Sequence, residues 1–155
     1  MGHRFSISNP TLVTLTASTA VQMLQLSNPS GNAGIEIDEI AFSAFGILST
    51  AQKALVELCR VTTAATGTAI TPKRYDKDGP APLCTGLLPT VDATLLDLGG
   101  GEIDTPWRDL CHLQGGLTYR CSGMGLYLPP NKSILIRCTA GTTASTGLAR
   151  IVWSE

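Results

Sequence analysis

Charge is scarce in this sequence. Only 15% of its 155 residues are Asp, Glu, Lys or Arg, and the net charge is −1. Proteins that neutralise nucleic-acid phosphates concentrate Lys and Arg on one face, so no nucleic-acid partner is expected. The one basic knot, Lys73-Arg74-Lys77, is offset by Asp76 and Asp78 and reads as a solvated turn. Aromatics are fewer still, at 5%, and with so little charge the polar surface must come largely from Ser, Thr, Asn and Gln. No apolar stretch reaches the roughly 18 residues of a membrane helix. Residues 1–10 also lack the apolar centre of a signal peptide, so no membrane partner is expected. Met1-Gly2-His3-Arg4-Phe5-Ser6 fits a loose myristoylation pattern that is too permissive to carry weight alone.

Catalytic and metal signatures are missing too. His3 and His112 are the only histidines, whereas a metalloenzyme of the cupin type needs several, closely spaced, with a Glu. There is no P-loop, G-x-S-x-G or H-E-x-x-H. Asp76-Lys77-Asp78-Gly79-Pro80 begins like a calcium loop, but Pro80 and Leu87 stand where oxygen ligands belong. Cys111 and His112 are neighbours on a strand and point to opposite faces, so they form no catalytic pair. The expectation is a protein without cofactor and without enzymatic activity.

The five cysteines, Cys59, Cys84, Cys111, Cys121 and Cys138, are odd in number and contain no C-x-x-C pair. Both features argue against a disulfide framework or a zinc site and for reduced, structural thiols. Asn131-Lys132-Ser133 is a sequon that reads as a turn without a secretion signal.

What the chain does have is strand and turn chemistry. Ala54, Val56 and Leu58 alternate with Lys53, Glu57 and Cys59, the period of a half-buried strand. Thr63 to Gly67 predicts a turn, and Ala69 to Pro72 a return strand, making Lys53–Tyr75 a hairpin. Thr11–Thr16 and Val21–Leu26 read as strands, the second with a bulge at Met23-Leu24 where the apolar parity changes. In Gly34–Phe45 the parity flips at Asp38-Glu39. A bulge there keeps Ile35, Ile37, Ile40 and Phe42 inside and leaves the two carboxylates as solvated edge residues. Leu117–Cys121, Ser133–Cys138 and Gly147–Glu155 complete the set, and the last predicts a C-terminus tied into a sheet. Gly99-Gly100-Gly101 opens a loop running through Trp107.

Roughly eight strands with no amphipathic helix predict an all-β, single-domain antiparallel sandwich or jelly roll over residues 11–155. Residues 1–10 precede it as an extended arm, in which Phe5 and Ile7 alternate with Arg4, Ser6 and Ser8. That alternation suits a strand laid on a neighbour's sheet edge, with Phe5 and Ile7 as anchors beside Arg4. A loose terminus is the plain alternative. The loop at Trp107 and Arg108 is the second candidate contact.

Three stretches carry a family resemblance: Thr14–Ala20, the run from Ala54 through Thr71-Pro72, and Leu126 to the closing Val152-Trp153-Ser154-Glu155. With the Leu113-Gln114-Gly115-Gly116 turn, they resemble the jelly-roll head decoration (cement) proteins of tailed phages. The resemblance implies a virion protein on the outer surface of an icosahedral head, made in the host cytoplasm. It also implies a homotrimer that binds the major capsid protein and holds neighbouring capsomers together. No catalytic residue carries over. The alternative on the same fold is a tail- or fibre-associated receptor or carbohydrate-binding component, for which Trp107, Tyr119 and Tyr127 are the available aromatics.

Overall fold

The structure, a computed structural model, describes residues 2–45, 52–113 and 115–155. Met1, all but Gln52 of the loop expected at 46–52, and Gln114 of the Leu113–Gly116 turn lie outside the described residues. Among those described, the strands are β1 Arg4–Ser8, β2 Val13–Leu15, β3 Ala20–Asn28, β4 Ile35–Phe45, β5 Lys53–Thr63, β6 Thr66–Ile70 and β7 Lys73–Arg74. They continue with β8 Thr85–Val91, β9 Thr94–Leu95, β10 Trp107–His112, β11 Gly116–Arg120, β12 Tyr127–Leu128, β13 Lys132–Thr139 and β14 Ser145–Ser154.

Two antiparallel sheets form a sandwich. One runs β11-β4-β14-β1-β7, the other β10-β5-β13-β3-β8-β6, with β2, β9 and β12 attached at the margins. Taking the strands β1, β3, β4, β5, β10, β11, β13 and β14 as first to eighth, the orders are 6-3-8-1 and 5-4-7-2. Successive strands of that series mostly change sheet, the winding of a jelly roll. The inward residues follow the period-2 reading. Ala54, Val56 and Leu58 meet Ile134, Ile136 and Cys138 in the second sheet, and Ile37, Ile40, Phe42, Ile151 and Trp153 face them from the first.

Both predicted bulges exist. Between β13 and β3 the pairing steps from Ile136↔Leu24 to Arg137↔Gln22, which leaves Met23 out of the ladder. Between β14 and β4 it steps from Val152↔Glu39 to Trp153↔Ile37, which leaves out Asp38. Each bulge resets the parity so that apolar residues on both sides of it stay inside.

Three expectations need correction. The arm of residues 1–10 is no arm: residues 4–8 are β1, paired with β14 from Arg4↔Ser154 to Ser8↔Arg150 and with β7 on the other edge. The domain therefore starts before residue 11. Lys53–Tyr75 is not a hairpin either. Both edges of β5 are taken, by β13 and β10, and β6 pairs with β8 at the far margin of that sheet. Instead of turning back, the chain crosses the sheet's outer surface, where the backbone N–H of Ala65 donates to Gln25 Oε1 at 2.9 Å. Finally, Trp107 starts β10 rather than ending a loop. Arg108, Leu110 and His112 lie on the exposed face of this edge strand, and Asp109, on the same side as Trp107 and Cys111, is exposed as well.

The outer surface of the second sheet is roofed by the chain itself. Cys59 and Leu135 point outward, yet Ala65 and Ala93 bury them, with Leu95 and Ile103 alongside. Gln22 holds that roof by accepting from the N–H of Ala93 at 2.7 Å and donating to its C=O at 3.0 Å.

Candidate functional site

Outward positions on the first sheet are set by register. Arg120 lies opposite Glu39, Glu39 opposite Val152, and Val152 opposite Ser6. Arg150 and Ser154 share that side on β14, and Arg4 shares it on β1. This brings Arg4, Arg120 and Arg150 over Asp38 and Glu39. Arg150 donates from Nη2 to Glu39 Oε1, and Arg120 Nε stands 3.8 Å from Glu39 Oε2. Arg4 Nε lies 3.3 Å from Asp38 Oδ2, which also accepts from Ser154 Oγ at 2.6 Å.

Asp38 and Glu39 are thus buried ion-paired groups, 5% and 8% exposed, and not solvated edge residues. The bulge that sequence parity predicts turns Asp38 toward Ser154, while β11 and β12 cover the edge of β4 that the pair was expected to line. The bulge's own carbonyl is satisfied: Asp38 O accepts the N–H groups of Cys121 and Ser122, at 2.8 and 3.1 Å. A cleft of about 480 Å³ opens here, lined by Arg4, Arg120, Ser122 and Ser154 with the two carboxylates.

Toward the other end of the same sheet the outward residues become small or apolar. Ser8, Ala41, Ser43 and Thr118 line a shallow depression with Leu148. Phe45, across the ladder from Thr146, is 53% exposed, and Leu12, just before β2, is 48% exposed. Val152, outward at the arginine-rich end, is itself fully buried, whereas Phe45 and Leu12 stay accessible. The result is a sheet surface with an arginine-rich end, indented by the cleft, and an apolar end.

Of the residues picked out in the sequence, Arg4 belongs to this surface. Phe5 and Ile7 do not: each is 1% exposed, with Phe5 stacked on Trp153 at 5.8 Å between centroids. Their alternation with Arg4 and Ser6 was strand periodicity, and the edge that receives it is β14 of the same chain. Trp107 turns inward on β10, opposite Leu58, and stacks on Tyr119 at 5.1 Å. Arg108 points outward on the second sheet, opposite Glu57. Trp107 and Tyr119 do come together, beside a groove of about 240 Å³ that includes Arg60 and Met124. Tyr127 stands apart: opposite Glu36 on β4, its ring packs against Gly34.

The five thiols are buried and unpaired. Burial pushes Cys59 and Cys138 up to about 12 and Cys121 to about 11. Cys84 and Cys111 are raised for the same reason. A thiol held in its neutral form is a poor nucleophile and metal ligand. Among the described residues no group of three or more His, Cys, Asp and Glu side chains could hold a metal ion.

No protein-family model matches the sequence, and none of the curated proteins compared with it is similar. Among solved structures, the crystal structure of Yersinia pseudotuberculosis-derived mitogen (YPM) is similar over 97% of this chain and 86% of its own. The identity is 11% and the TM-score 0.42, too distant to assign a family.

Proposed function

We propose that this chain is a virion structural protein, a decoration (cement) protein that binds the outer surface of an icosahedral phage head and stabilises contacts between capsomers. The observation that carries the reading is the outward side of the first sheet, with Phe45 and Leu12 exposed at one end and arginines at the other. An open sheet surface that joins exposed apolar side chains to arginines suits contact with another protein surface. The proposed partners are the major capsid protein and two further copies of this chain. A homotrimer presents three such surfaces at once, so each contact can be weak while the assembly holds. Buried unpaired thiols fit synthesis in a reducing host cytoplasm. The sequence resemblance points the same way, and the proposal assigns no catalytic activity and no cofactor.

The test is to add the purified protein to heads lacking it and to measure co-sedimentation and the temperature at which the heads open. Saturable binding in a fixed ratio to capsid subunits, with a raised opening temperature, is the expected result. Heads that neither bind it nor change in stability would overturn the reading.

A second reading, a tail- or fibre-associated glycan-binding component, draws on the Trp107–Tyr119 groove beside Arg60. Aromatic stacking on a sugar ring would be lost in Trp107→Ala, and binding of intact host cells, not of heads, would decide for it.

A further inference from the structure

We infer that the outward side of the β11-β4-β14-β1 sheet is the capsid-facing surface, and that it receives an acidic protein surface. Carboxylates of the partner would meet Arg120 and Arg4 at one end of the sheet, and an apolar part of the same partner surface would pack on Phe45 and Leu148 at the other. This rests on the decoration reading and adds to it the side of the molecule and the chemistry of the contact. Burial decides the sign of the charge a partner meets. The side chains of Asp38 and Glu39 are 6% and 10% exposed, whereas those of Arg4, Arg150 and Arg120 are 46%, 45% and 86% exposed. The carboxylates form the floor and the guanidinium groups the accessible layer. Lys73, opposite Ser6 on β7, adds a further cation on this side, while Glu36, which accepts the N–H of Gly123, keeps its charge, so the cations outnumber the anions here by one. The surface is thus cationic in a chain whose net charge is −1.

Arg120 is the most available group. Glu39 is already engaged by Arg150, and Arg120 approaches it only through Nε at 3.8 Å. Among the described residues its outer donors have no other partner, which leaves them to a carboxylate, the geometry in which arginine binds most specifically. The apolar end, six residues along β4 from Glu39 and roughly 20 Å away, supplies a second, separate contact with the same partner. On the second sheet the comparable area is already occupied by the chain's own residues around Ala65 and Ala93.

The experiment measures binding to heads lacking the protein for wild type, Arg120→Glu, Arg120→Gln, Phe45→Ser and, as a control on the opposite sheet, Leu110→Glu. Thermal melting of each variant verifies the fold, and Arg120→Gln with Phe45→Ser keeps the test open if Arg120→Glu fails to fold beside Glu39. Expected are a loss of about tenfold or more for the Arg120 and Phe45 variants, no loss for Leu110→Glu, and weaker wild-type binding at higher salt. Wild-type binding that survives these substitutions overturns the inference alone and leaves the decoration reading standing. No wild-type binding at all removes that reading and the inference with it. If the variants shift free protein to a smaller species in sedimentation, the surface is a contact between copies. If instead wild type binds duplex DNA and Arg120→Glu does not, the surface is a nucleic-acid site. Either result overturns the inference.

Discussion

The carboxamide of Asn9 donates to the carbonyl of Met23 at 2.7 Å and accepts from the N–H of Ala149 at 2.7 Å, both within the core. Met23 is the residue left out of the ladder by the β3 bulge, and Ala149 belongs to β14 in the other sheet. One buried side chain therefore ties the two sheets together and satisfies a bulge. Asn9→Ala leaves two buried polar groups without partners, at an expected cost of roughly 2–4 kcal/mol. Denaturant unfolding measures it, and a loss below about 0.5 kcal/mol, the range of ordinary surface substitutions, would show that the clasp is dispensable.

Removal of Phe5 or Ile7 strikes the core and not a detachable arm. Phe5→Ala is expected to cost about 3–5 kcal/mol and Ile7→Ala about 2–5 kcal/mol, because both are fully enclosed and Phe5 stacks on Trp153. Deleting residues 1–8 takes away the strand between β14 and β7, so the truncated chain is expected not to fold cooperatively. A truncated protein with a normal melting temperature would contradict this placement.

The carboxylate of Glu155 gathers three N–H groups: those of Leu83 and Cys84, at 2.9 and 3.0 Å, and the indole of Trp153, at 2.9 Å. Glu155→Ala is expected to cost about 1–3 kcal/mol. It should speed amide exchange at Leu83 and Cys84 in particular. Unchanged exchange at those two amides would sink the assignment.

Alkaline pH is expected to destabilise the fold through its thiols. Burial raises Cys59 and Cys138 from 9.0 to about 12 in the folded state. Between those values the unfolded chain releases protons that the folded chain keeps, so stability falls as pH rises. It is fully present below about pH 9 and declines by roughly 1.4 kcal/mol per pH unit for each such thiol until about pH 12. Melting temperatures between pH 7 and 11 measure this. Cys59→Ser with Cys138→Ser should flatten the dependence, and an unchanged slope would place the alkaline sensitivity elsewhere. At pH 8 a thiol reagent is expected to react with the native protein only as fast as it unfolds.

Local alternation along the chain was enough to read the all-β class, the inward residues of β5, β13 and β14, and both bulges. Parity is a property of neighbouring residues, and a flip within an apolar strand has few physical solutions. Partner choice between strands was decided only in three dimensions. Residues 63–67 carry good turn chemistry, yet β5 and β6 do not pair, because distant strands occupy both edges of β5. The same holds for β1: Phe5 and Ile7 announce a strand, but only the fold shows that its receiving edge is β14 of the same chain. Asp38 and Glu39 read as solvated because carboxylates are seldom buried unless paired. Their partners Arg4, Arg120 and Arg150 lie far away in sequence and meet them only when β1, β11 and β14 line up around β4. Sequence alone thus determined the strand character of the segments with clear alternation, but not that of β8, β10 or β12. The jelly-roll winding decided which charges meet, which side of the sandwich the chain covers for itself, and which side it leaves open, since those depend on contacts between residues remote along the chain.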